Sequence, residues 1–263
     1  MSSSLTEPGL METALRRDRV VVAMGLAAVA ALAWVYVAHR SATMKPHAAM
    51  AMPAAGSGGA GELAWLIAMW AVMMVAMMLP SAAPAILLFA GVTRRRREQG
   101  RPAVSAVVFG AGYLAVWTGF SAVAGLTQLL LHRAALLSPA MASATPTLGG
   151  ALLIAAGVYQ WLPLKGTCLT HCRSPLGFFS HAWREGAAGA LLMGLRHGLY
   201  CVGCCWLLMA LLFVAGVMNL LWVAAIAGFV LVEKVVPGGW VLGKVAGALL
   251  VAWGAWVLAA SMP

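Results

Sequence analysis

Apolar residues run along this chain in stretches of about twenty, the length a helix needs to cross the hydrocarbon core of a bilayer. Arg16-Arg17-Asp18-Arg19 precede the first stretch, Val20–Ala38, which is longer than the apolar core of a secretory signal. Leu63–Leu79 is the second. Pro80 and Pro84 end or kink it, the helix resumes to Val92, and Arg94-Arg95-Arg96-Arg97 closes it. Residues 104–131, 148–162, 187–217, 220–235 and 240–260 complete seven predicted spans, with the second taken as 63–92. The run 187–217 exceeds one perpendicular crossing, so tilt or a kink at Gly198 and Gly203 is expected. Gly216-Val217-Met218-Asn219 reads as a tight turn and Pro237-Gly238-Gly239 as a break. Gly110, Gly119, Gly150 and Gly157 are expected to allow close helix packing. The predicted class is all-α, a polytopic membrane helix bundle. Residues 1–19 form a flexible cytoplasmic N-terminus, with 1–15 irregular, and residues 20–263 form a single integral membrane domain.

Composition agrees: 263 residues, 63% hydrophobic and 9% charged, exclude a soluble domain. A net charge of +10 would suggest nucleic acid in a soluble protein. Here the charges lie between apolar spans, and no aromatic-basic patch or Gly-rich phosphate loop accompanies them, so the partner is the lipid bilayer and not nucleic acid. With the N-terminus inside, fourteen basic residues fall on the cytoplasmic side and three (Arg40, Lys45, Arg133) on the other. That bias predicts an N-in, C-out orientation. It places loop 165–185 in the cytoplasm and the Gly/Ala/Met/His-rich loop 39–62 outside. Phe178, Phe179 and Trp183 in the inner loop read as an interfacial anchor.

Candidate chemistry centres on Arg196-His197-Gly198-Leu199-Tyr200-Cys201-Val202-Gly203-Cys204-Cys205-Trp206. His197, Cys201 and Cys205, at i, i+4 and i+8, drift only about 80° round a helix, and Cys204 joins that face. One imidazole and three sulfurs on one stripe suit a soft metal. Cys168-Leu169-Thr170-His171-Cys172 would add two thiols on one face if that segment is helical. In the second span Met69, Met73 and Met77 recur every four residues, and Met74 and Met78 widen the stripe. Thioethers select copper(I); methionine also packs adaptably. Met44, His47, Met50 and Met52 in the preceding loop resemble the Met/His stretches of proteins that collect copper. Glu233 and Lys234 are adjacent and cannot face one another. They read as an interfacial end with both side chains snorkelling, or with Glu233 turned into the bundle as a structural or proton-linked partner. Arg196 either snorkels or offsets thiolate charge.

Three groups of residues carry a resemblance. The first is Ala68-Met69-Trp70-x-Val72-Met73-x-x-Ala76-Met77-Met78-x-Pro80-Ser81-x-x-Pro84. The second is Tyr159-Gln160-x-x-Pro163-Leu164-Lys165-x-x-Cys168-Leu169-x-x-Cys172-Arg173-x-Pro175. The third runs from Gly198-x-x-Cys201-x-Gly203-Cys204-Cys205-Trp206-x-Leu208-Met209 to Gly216-x-Met218-Asn219-x-x-Trp222 and Glu233-Lys234-x-x-Pro237. Over about residues 62–260 the chain resembles a bacterial domain-of-unknown-function family described as predicted metal-binding integral membrane proteins. That resemblance implies metal binding without naming the metal.

The expectation is a multi-pass protein of the bacterial inner membrane that handles copper(I), with zinc as the alternative ion. Met44, His47, Met50 and Met52 would gather the ion and the Met69–Met78 stripe would line a path. Cys201, Cys204 and Cys205, with Cys168, Cys172 and His197, would receive it for a soluble metallochaperone or metalloprotein client. The alternative is a membrane thiol-disulfide oxidoreductase using Cys201/Cys204 and Cys168/Cys172. Against it, both pairs face the reducing side and the methionines have no role. A structural subunit of a larger assembly is the third reading.

Overall fold

The computed structural model describes residues 8–43, 60–137, 142, 143 and 145–261. They form ten helical segments and no strand. In chain order these are α1 (Pro8–Thr43), α2 (Ala60–Glu98), α3 (Ala106–Arg133), α4 (Pro146–Tyr159), α5 (Pro163–Arg173), α6 (Pro175–Ala182), α7 (Gly186–Ala210), α8 (Leu212–Ala215), α9 (Leu220–Val235) and α10 (Gly239–Ala260). The all-α class stands. Helix already begins at Pro8, so residues 8–15 are not the irregular segment expected.

Five helices are long and apolar enough to cross a membrane: Arg19–Thr43 of α1, α2, α3, Gly186–Ala215 across α7 and α8, and α10. α4 and α5, bent 65° at the turn between them, make a sixth if counted as one broken span. The expected seven therefore divide into five long helices and two short ones. α9 has 16 residues and α4 has 14, both less than the rise needed for a ~30 Å core. Large apolar side chains stay exposed along α1 (Val21, Leu32, Val35), α3 (Val107, Val123) and α10 (Leu249, Trp256), a contiguous apolar exterior that suits lipid.

The long helices sort the charges to two ends. Arg19 of α1 packs beside Gly91 of α2, and Arg96 pairs with Glu185 and lies over the Trp183 ring. At the opposite end Arg133 approaches Glu62 at 4.0 Å and Arg40 sits over Trp65. Each group holds residues that the charge count assigned to one membrane face.

Several local expectations need correcting. α2 runs through Pro80 and Pro84 as one helix. Each proline removes a backbone donor, which leaves the carbonyls four residues back without their helical partner. The break after α7 falls at Leu211, not at Gly198 or Gly203. Those glycines instead let neighbours approach. A Cβ on Gly203 would stand 2.7 Å from the Cys168 sulfur, and one on Gly198 would stand 2.9 Å from the Val116 side chain. Gly150 and Gly157 bring α4 onto α10, where they meet Gly254 and Gly247. Gly110 and Gly119 face open space, and Gly112 and Gly194 make the close α3–α7 crossing in their place. Phe178 and Phe179 are not an interfacial anchor. Both are buried, packed on Phe89, Phe109 and His197, and pin α6 to the bundle.

Candidate metal centre

α7 holds the centre because α3, α4, α5 and α9 all pack on it. Its face carrying His197, Cys201, Cys204 and Cys205 is wholly buried. All five cysteines of the chain are free thiols. The thiols of Cys204 and Cys205 donate back to the Cys201 carbonyl at 3.1 and 3.0 Å.

Cys201 differs. The buried ammonium of Lys234 donates to its sulfur at 2.9 Å, and the Tyr113 hydroxyl lies 3.1 Å from the same atom. Lys234 also donates to the Ser81 hydroxyl at 3.2 Å. A buried charge persists only when paired, and among the described residues no carboxylate lies within ion-pair distance of this ammonium, which leaves the Cys201 sulfur as the group placed to act as its counter-ion. Tyr113 also reaches the Met78 carbonyl at 3.1 Å, which ties α3, α2 and α7 together at the proline-bearing part of α2.

α5 closes the site from the side. The segment expected as a loop is helical here, so Cys168 and Cys172 share a face as the spacing required. Cys172 lies near Cys201 and Cys204. Cys168 fills the space left by Gly203. The Cys205 thiol also meets the Met78 thioether at 3.9 Å.

Met69, Met73 and Met77 are buried in the core of α2, but the thioether that touches the thiols is that of Met78. His197 sits among the rings of Phe109, Tyr113 and Phe178, within electrostatic reach of Cys201, and its Nδ1 has no hydrogen-bond partner. His47, with Met44, Met50 and Met52, lies outside the described residues. Sequence reasoning passed over Tyr113 and the partnership of Lys234. The available signals were one phenol in an apolar span and one ammonium in the last turn of an otherwise apolar helix that ends at Val235.

Glu233 and Lys234 do not snorkel. Both are buried, and neighbours on a helix point about 100° apart. Lys234 faces the sulfurs, while Glu233 accepts from Lys165 at 2.5 Å, with Gln160 completing a separate polar cluster.

The donor set fits a soft monovalent ion: four thiols from two helices and one thioether. Among the described residues no three His, Cys, Asp or Glu side chains already stand at ligating geometry. Two of the thiols, Cys204 and Cys205, are turned onto their own helix. Residues 67–257 match the model of a family described as PpoB2: Copper chaperone. No curated protein and no solved structure matches the chain.

Proposed function

As the chain belongs to the PpoB2 copper chaperone family, we propose that it is a multi-pass membrane protein that holds copper(I) as cargo. The ion would sit on Cys201, Cys204, Cys205 and Cys172 with the Met78 thioether, and Cys168 and His197 would border the site. One observation carries this reading: thiols from α7 and α5 converge on a buried ammonium inside an apolar bundle. Copper(I) on two thiolates leaves one net negative charge, and Lys234 offsets it. The proposed setting is the bacterial inner membrane with seven crossings, counting α4 and α9, N-in and C-out. Outer Met44, His47, Met50 and Met52 would gather the ion. Met69, Met73 and Met77 would lead it along α2 to Met78, and a soluble metallochaperone or metalloprotein client would take it from the inner side. The gradient from thioether to thiolate drives that direction without ATP. Zinc is the competing ion for a thiol-rich set.

Metal analysis of the full chain, purified reduced in detergent, tests this. Copper(I) is expected to co-purify. Cys204→Ser with Cys205→Ser removes it, and Cys168→Ser weakens it. The thiolate beside Lys234 would equally suit thiol-disulfide exchange. Metal-free protein with a Cys201–Cys204 disulfide and quinone-dependent turnover would establish the oxidoreductase instead.

The thioethers separate by position. Met78→Leu nearly conserves volume and costs under about 1.5 kcal/mol of stability, yet it should weaken copper retention. Met73→Leu with Met77→Leu should leave equilibrium retention intact and slow loading from outside. Equal loading rates in proteoliposomes would reduce those two methionines to packing.

A further inference from the structure

A cavity of about 300 Å³ lies where the α5–α6 turn packs against α7, lined by His171, His181, Arg196, Tyr200, Thr170 and Ser174 among others. His181, Arg196 and Ser174 are exposed, so it opens at the surface. The sulfur cluster is one residue away along α5: Cys172 follows His171 in sequence, is half-buried, and lies near Cys201 and Cys204.

Both histidines are held in one tautomer. His171 Nδ1 lies 2.8 Å from the Thr167 carbonyl, and His181 Nδ1 lies 3.0 Å from the Gly177 carbonyl. A carbonyl oxygen only accepts, so a proton on Nδ1 satisfies each contact and leaves Nε2 its lone pair; the Ser180 hydroxyl, also 3.0 Å from His181 Nδ1, donates to the Gly177 carbonyl at 2.9 Å and so accepts from the same proton. An imidazole that ligates a metal is commonly oriented in this way, by its other nitrogen donating to a backbone carbonyl. The His171 ring is further fixed by stacking on Tyr200 at 4.2 Å and 11°. One such back-bond is ordinary for a helical histidine. Here two such imidazoles, one on α5 and one on α6, line one cavity.

Resting on the copper reading for the identity of the ion, we propose that His171 and His181 form a second, nitrogen-only copper(I) site at the mouth of the sulfur cluster. Through it the ion passes between Cys172 and the aqueous phase. Arg196 in the same lining opposes cations. That repulsion disfavours divalent ions more than monovalent ones and keeps the site weak, as a point of exchange must be beside a thiolate store.

The test uses the full chain, reduced, in detergent, with copper(I) as the probe. X-ray absorption at one equivalent should show sulfur ligation, and at two equivalents an added nitrogen shell. In the His171→Gln/His181→Gln variant the nitrogen shell is lost and the sulfur-bound equivalent remains, which also shows that the variant is folded. Removal of the first equivalent by a water-soluble copper(I) chelator should be slower in that variant, with the same end point. An unchanged nitrogen shell or an unchanged removal rate overturns the proposal. Slowing by Arg196→Gln but not by the histidine pair also overturns it, because the cavity then serves an anion. If the first equivalent shows no sulfur ligation, the copper reading itself fails and the exchange site falls with it.

Discussion

Cys201→Ser is expected to destabilise the bundle by ~3–5 kcal/mol, more than any other single cysteine change, because it strands a buried charge. Lys234 is only 7% exposed and donates to the Cys201 sulfur and the Ser81 hydroxyl. A serine leaves the ammonium with neutral oxygens alone. Cys204→Ser and Cys205→Ser carry no such penalty, since both thiols donate to a backbone carbonyl that a hydroxyl serves as well. Lys234→Met in the Cys201→Ser background removes the stranded charge and should restore most of the lost stability, giving a coupling that a double-mutant cycle reads directly. It should not restore copper. Thermal melting in detergent measures the first quantity and metal analysis the second. A Cys201→Ser protein that melts like wild type would show that the contact is not ionic.

That pair marks where the sequence stops being readable. Cysteine spacing alone put Cys201, Cys204 and Cys205 on one face, and the helical period alone paired Cys168 with Cys172; both follow from local geometry. Which helix would bring a thioether or an ammonium to that face depends on how α2 and α9 cross α7, and no local pattern encodes a crossing. The evenly spaced Met69, Met73 and Met77 therefore drew attention, whereas the sulfur in contact belongs to Met78. Glycines misled for the same reason. Gly110 and Gly112 are both small residues of one helix, yet only Gly112 faces α7. Phe178 and Phe179 have the composition of an interfacial anchor, and only the turn into α6 reveals that they close the bundle.

Glu233→Gln should be as damaging as Cys201→Ser, again by ~3–5 kcal/mol, although it touches no sulfur. Glu233 is 2% exposed and its carboxylate is the counter-ion of the equally buried Lys165. Gln160 supplies a second acceptor, and Gly243 leaves room for the carboxylate where a Cβ would collide with it. An amide at 233 leaves Lys165 charged, buried and facing only neutral oxygens. Replacing both partners by methionine removes both charges at similar volume, a change that in other buried pairs is neutral or stabilising. The Lys165→Met/Glu233→Met protein is thus expected to fold and, since Lys234 rather than Glu233 faces the thiols, to retain copper at the wild-type level. Retention with normal melting would assign Glu233 to holding α5, α4 and α9 together. Loss of copper from a folded double variant would instead place this pair on the route of the ion or of a proton that moves with it.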